Sequence, residues 1–253
     1  MAILAALYGL VVYLFFLATF AYAIGFVGNL PLLPKTIDSG TSAPLVEALL
    51  VNVMLLGLFA VQHSVMARRG FKRWWTRLIP ESVERSTFVL AASAALALLL
   101  WQWRPIAEPV LWRVDDPVAR IALQGVFWLG WGVLLISTFL INHFELFGLR
   151  QVWANMRGDA LPAADFRTPL FYRHVRHPIY LGFILAFWAA PTMTAGHLLF
   201  AAASTGYILI GIWFEERDLI EQFGQRYQAY RQQVGMLLPR LGGARGRKHP
   251  SQP

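Results

Sequence analysis

"PIYLGFILAFWAAPTMTAGHLLFAAASTGYILIGIWF", residues 178–214, is an apolar run without a single Asp, Glu, Lys or Arg. An α-helix rises 1.5 Å per residue and needs about 20 residues to cross a hydrocarbon core of about 30 Å, so this run is too long for one span. Pro191 and Gly196 interrupt it, which predicts a helical hairpin of two short arms with a turn of about five residues between them. Working outward, further apolar runs of span length lie near 2–28, 44–66, 84–103 and 118–142. The pattern predicts an all-α fold: a polytopic integral membrane helical bundle of five or six spans, five if one arm of the hairpin is re-entrant, six if both cross.

Composition supports this class. The 253 residues are 57% hydrophobic and 14% charged, against about 25% charged in soluble domains, so apolar surface has to face a lipid bilayer. The formal charge of +8 does not imply nucleic acid, because the basic residues sit in short loops between spans. Lys and Arg number five in 67–83, five in 143–177 and seven after 215, but three (Lys35, Arg104, Arg113) in the alternate connections. The positive-inside rule then makes this a multi-pass cell membrane protein with cytoplasmic N- and C-termini. No cysteine is present, which excludes disulfides, thiolate metal sites and a cysteine nucleophile. The first apolar run lacks a basic leader and is long for a signal peptide, although Ala21-Tyr22-Ala23 mimics a cleavage site; it reads as a first span. The expected organisation is helices 1–4 over 1–143, a cytoplasmic loop over 144–177, a hairpin plus amphipathic helix forming a site over 178–238, and a flexible tail over 239–253.

The polar residues gather where the spans meet the cytoplasmic side. "YRHVRHP" at 172–178 precedes the hairpin, and Pro178 suits the first turn of a helix whose free N–H groups would face Arg176 and His177. Such an end can hold a carboxylate or phosphate; equally, arginines flank spans as topology signals. Glu215 and Glu216 close the second arm and, in a hairpin, return to the level of His177 and Tyr180. A cationic helix start opposite two carboxylates matches a zwitterionic ligand, while an ion pair from either glutamate to Arg176 or Arg217 is the plainer alternative. Leu219, Phe223, Tyr227 and Tyr230 recur at helical intervals. Upstream, Asn142, His143, Glu145 and Arg150 cluster around Gly148, His63 ends the second span, and Glu84 and Arg85 begin the third. A carboxylate at this depth is costly unless paired, so Glu145 is a functional candidate or the partner of a loop arginine. His197 lies at the far end of the hairpin and His249 in the tail, and neither joins the site.

"RHPIYLG" with "EERDLIEQFGQRYQAYR", between Tyr172 and Leu238, resembles the C-terminal signature of isoprenylcysteine carboxyl methyltransferase-like membrane enzymes. The stretches "QHSVMARRGFKRWWTRLIPESVERSTFVL" and "NHFELFGLRQVW" are similar to the methanethiol S-methyltransferases, a branch related to NnrU proteins. The resemblance implies an enzyme that binds S-adenosyl-L-methionine through Arg176, His177, Pro178, Tyr180, Leu181, Glu215 and Glu216 and methylates a small thiol, giving dimethyl sulfide. A thiol must lose its proton to attack, so Glu145, His63 and His143 are the candidate bases and Arg85 the candidate thiolate holder. Tyr180 or Trp213 would face the sulfonium. No metal site is expected. A lipidated cysteine carboxyl or phospholipid amine as acceptor, a sterol-reductase-type oxidoreductase, haem on His63 and His143, and an accessory role without turnover are the competing readings. Oligomeric state stays open.

Overall fold

The computed structural model describes residues 1–161 and 166–240; the tail reading and His249 fall largely or wholly outside the described residues. Five helices are long and apolar enough to cross a membrane: α1 (Ala2–Val27), α2 (Leu45–Ala67), α4 (Glu81–Gln102), α5 (Pro117–Ile141) and α9 (Ala195–Phe223). Between α2 and α4 lies the short helix α3 (Arg69–Trp75), and a strand β1 (Val110–Arg113) precedes α5. The 144–177 region, expected as loop, carries helix as well: α6 (His143–Leu146), α7 (Leu149–Arg157) and a 3-10 turn at Leu170–Arg173. Val152 of α7 is buried over Gly9 of α1, a contact that ties this region down onto the bundle. The chain continues through α8 (Pro178–Trp188), β2 (Thr192–Thr194), α9 and α10 (Gln225–Gln233).

Local sequence marks the starts. Pro44, Pro80, Pro117 and Pro178 stand at or just before the first residue of α2, α4, α5 and α8, where a missing N–H is harmless. Asp116 accepts the Ala119 amide at 2.8 Å to cap α5, and Thr194 accepts that of His197 at 3.1 Å to cap α9. The hairpin turn falls where Pro191 and Gly196 indicated. The arms are unequal, however: α8 has 11 residues and α9 has 29. At 1.5 Å per residue α8 covers about half a bilayer. Extended chain completes its path, because Val114 donates to the Pro191 carbonyl and β2 pairs antiparallel with β1, just before α5 begins.

α8 is clamped to α5 by two glycines. A Cβ at Gly182 would stand 2.6 Å from the Gly130 carbonyl oxygen, and one at Gly130 would stand 2.7 Å from that of Gly182. Close backbone approach of this kind is how helices associate in lipid, where no hydrophobic drive favours one apolar partner over another. An aromatic core fills the bundle, with Phe26, Trp103, Phe127, Trp131, Phe187 and Phe200 all buried. Polar groups reach into it: the buried Trp131 Nε1 has no hydrogen-bond partner, while two others are paired. Trp103 Nε1 donates to the Ile37 carbonyl at 3.0 Å, and the Asn52 amide bonds the Arg104 backbone at 2.7 and 2.9 Å. One end of the bundle collects the arginine-rich connections, with Arg68 and Arg69 reaching Asp218 and Glu221 of α9 at 3.9 and 3.2 Å.

Candidate active site

At that end the chain before α8 runs beside the chain after α10. Arg176 and His177 donate their amides to the carbonyls of Gly235 and Met236 at 2.8 and 3.2 Å. The Arg176 side chain is buried, its Nε 2.7 Å from Glu216 Oε1 and its Nη1 on the Arg231 and Val234 carbonyls. His177 Nε2 lies 3.2 Å from the same Glu216 oxygen, and Arg231 Nε is 3.0 Å from Oε2. Both oxygens of the buried Glu216 are thus engaged within the protein, the ion-pair alternative of the sequence reading. Arg176 and Glu216 form a strut that ties the start of α8 to α9.

The neighbours of this pair are differently placed. The Glu215 side chain is 44% exposed, with Oε2 3.8 Å from His177 Nδ1, and it also faces the Tyr180 hydroxyl. Tyr180 packs on His177, ring centroids 5.7 Å apart, whereas Trp213 is exposed. Pro178 opens α8 without an N–H, and the Leu181 amide bonds the His177 carbonyl at 3.0 Å, leaving Ile179 and Tyr180 as the unbonded first-turn amides. Tyr227 is buried beside Glu216 and Arg176, its hydroxyl without a hydrogen-bond partner, and burial raises its pKa. Free amides, a half-exposed carboxylate and an orphaned buried hydroxyl together suit a ligand carrying both a carboxylate and donor groups.

A second cluster lies against α4. Asn142 holds a positive φ of 129°, and its side chain both caps α6 and donates to Glu145 Oε2 at 2.6 Å. Arg150 bonds the same Glu145 oxygen at 2.7 Å. Gly148, at φ +87°, lies so close to Ser86 that a Cβ would come within 2.7 Å of its hydroxyl. That approach sets α6 against Arg85, whose Nε donates to the Leu146 carbonyl at 2.7 Å and whose guanidinium covers the Phe88 ring. A cavity of about 310 Å³ opens here, lined by Lys72, Glu84, Arg85, Asn142, Glu145 and Gln151 among others. Tyr172 reaches α5 from the first cluster, its hydroxyl donating to the Ser137 carbonyl at 3.5 Å while Glu215 lies near enough to act on its charge.

The histidine candidates separate. His143 Nδ1 is 2.8 Å from the Thr138 hydroxyl and Nε2 is 2.7 Å from that of Tyr13, with Phe139 stacked at 4.2 Å. Thr138 donates its own proton to the Leu135 carbonyl, so Nδ1 carries the imidazole proton and Nε2 accepts from Tyr13. Both ring nitrogens of His143 thus have partners within the protein. His63 stacks on Phe59 and packs against Phe88 and Tyr207, its Nδ1 buried without a partner. His197 sits at the far end, its Nε2 on the Phe187 carbonyl at 3.0 Å. Among the described residues no three His, Asp or Glu side chains gather as a metal site. Lys72, Tyr172, Tyr227 and Arg231 were not singled out as site residues from the sequence. For Lys72 a signal existed: Arg68, Phe71, Lys72, Trp75 and Thr76 recur at three and four residues, the inward face of a helix.

Comparison with known proteins bears on what this end does. A methanethiol S-methyltransferase of Mycobacterium tuberculosis is 58% identical over 236 residues, 93% of this chain and 96% of its own. The chain belongs to the methanethiol S-methyltransferase family. A member from Crocosphaera subtropica is 52% identical over 93% of this chain and 92% of its own. Nurim of Bos taurus, a more distant relative, is 30% identical over 80% of this chain and 87% of its own. No protein-family model and no solved structure matches the chain. The family name implies a methyl donor, and the five apolar helices suit a lipid bilayer.

Proposed function

We propose that the chain transfers a methyl group from S-adenosylmethionine to methanethiol, releasing dimethyl sulfide, at the cytoplasmic face of the membrane. The observation that carries this reading is 58% identity across 93% of the chain to a methanethiol S-methyltransferase. When bound, the donor supplies an electrophilic methyl on a sulfonium. The chain's own residues supply position and charge. The Ile179 and Tyr180 amides at the start of α8 hold the donor's carboxylate. Glu215 and the Tyr227 hydroxyl would take its amine and ribose hydroxyls, and the Tyr180 ring would favour its positive charge. Arg176, His177 and Glu216 keep α8, α9 and α10 in register around it.

The acceptor enters the cavity at Arg85 and Glu145. A free thiol has a pKa of about 8.5 or above and is mostly protonated at neutral pH. Glu145 takes its proton and Arg85 favours the anion that remains. Alignment of sulfur, methyl and leaving sulfur supplies a large share of the acceleration, since such preorganisation is worth roughly 7–11 kcal/mol. A small apolar thiol partitions into the bilayer while the charged donor stays in water, so a pocket at the boundary is filled from both sides.

The test is gas chromatography with mass detection of the headspace above membranes containing the protein, given methanethiol and methyl-deuterated S-adenosylmethionine. Labelled dimethyl sulfide is the expected product. Unlabelled headspace with both substrates present overturns the reading.

A further inference from the structure

Lys72 is the one cavity-lining cation that the reading above leaves without a task. α3 is pinned to α9 on one side by the Arg68–Asp218 and Arg69–Glu221 pairs. Lys72, one turn on from Arg68, lines the cavity shared with Arg85, Glu84 and Glu145. Among the described residues the Lys72 ammonium has no ion pair within 4 Å and no hydrogen bond. Arg85, by contrast, is fixed by the Leu146 carbonyl and the Phe88 ring. Glu145 is held from the far wall by Arg150 and Asn142. The cavity therefore presents one anchored cation, Arg85, one cation without a hydrogen bond, Lys72, and two carboxylates, Glu84 and the anchored Glu145. A half-buried ammonium whose neighbouring carboxylate, Glu84, acts on it without a direct ion pair keeps its donors for an incoming anion.

Resting on the methyl-transfer reading, we propose that this cavity is the acceptor subsite and that the Lys72 ammonium, with Arg85, holds the substrate sulfur as a thiolate. The thiol S–H bond breaks with its proton passing to the Glu145 carboxylate and on to water. The sulfur lone pair then forms a bond to the donor methyl as the sulfonium carbon–sulfur bond breaks, its electron pair returning to the donor sulfur. Other charges around Lys72 are Glu84 and Arg85 on α4, Glu145 and Arg150 beyond them, Arg68, Arg69 and Arg73 on α3, and Asp218 and Glu221 on α9. Burial and Arg85 both lower the Lys72 pKa, while Glu84 raises it.

The experiment measures kcat against pH for methanethiol in membranes carrying the wild type, Lys72→Met, Lys72→Arg and Arg73→Met. An opposite charge at this range shifts a pKa by about 1–3 units, so Lys72→Met is expected to move the alkaline rise of kcat up by about one unit and to slow turnover at neutral pH about tenfold. Lys72→Arg keeps the wild-type midpoint, and so does Arg73→Met, which removes an exposed cation from the same helix. If Lys72→Met does not accumulate, Lys72→Gln carries the same charge change. An unmoved midpoint in the neutral variant, or an equal shift in Arg73→Met, overturns this assignment while labelled product from the wild type leaves the methyl-transfer reading standing. Absence of product from the wild type overturns both.

Discussion

Glu215 and Glu216 are adjacent in sequence and opposite in circumstance. Glu216 is 6% exposed and meets Arg176, His177 and Arg231; Glu215 is half exposed and faces His177 and Tyr180. Removing one partner of a buried ion pair leaves the other uncompensated, at about 3–5 kcal/mol. Glu216→Gln is therefore expected to lower the unfolding temperature in detergent sharply. Glu215→Gln should leave that temperature alone and raise KM for the donor, which steady-state kinetics with the donor varied will read. An unchanged donor KM in Glu215→Gln removes it from the site. His143 sets a pH dependence of its own. Burial holds its pKa below the ordinary 6.5. The unfolded chain thus takes up the proton first as pH falls, so the contribution of His143 is complete above about pH 6.5 and is lost progressively below it, toward the folded value. Melting temperature against pH is expected to show a shallower acid-side decline in His143→Gln than in the wild type.

At the scale of elements, the short arm α8 depends on α5 more than on its own length. Eleven residues do not reach across a bilayer, and the contact of Gly182 with Gly130 holds α8, and with it Pro178 and the free first-turn amides, against α5. Gly182→Ala would force a methyl group to 2.6 Å from a backbone oxygen and 2.9 Å from Leu134. Overpacking of this kind costs about 1–3 kcal/mol, and here the helix that carries the site has to move. Turnover should fall in Gly182→Ala by more than in Gly206→Ala, where a Cβ meets nothing within 4 Å. Equal activity of the two would show that α8 is not positioned by this contact.

For the whole molecule, orientation is the open quantity that a simple experiment reads. Because the chain contains no cysteine, single cysteines report cleanly. Arg77, between α3 and α4, and Asp115, just before α5, are exposed and lie at opposite ends of the bundle. With the arginine-rich end in the cytoplasm, a membrane-impermeant maleimide added to intact cells is expected to label Asp115→Cys and to spare Arg77→Cys until the cells are opened. The reverse pattern would invert the topology.

Hydropathy and charge placement sufficed to identify an α-helical membrane bundle, its hairpin and the end where polar residues collect, because bilayer thickness and loop charge are local constraints that act on sequence runs. The motif around Arg176, His177 and Glu216 was also legible, since two arms of one hairpin must return to the same level. Which glutamate is locked, why His143 is bonded to Tyr13, and how Lys72 comes to share a cavity with Arg85 and Glu145 depend on contacts between residues 40 to 130 positions apart or on which way a short helix turns. Those are decided by close packing among α1, α3, α4, α5 and α9, where the approach of one backbone at Gly148 or Gly182 selects which side chains share a cavity, and no periodicity along the chain records that choice.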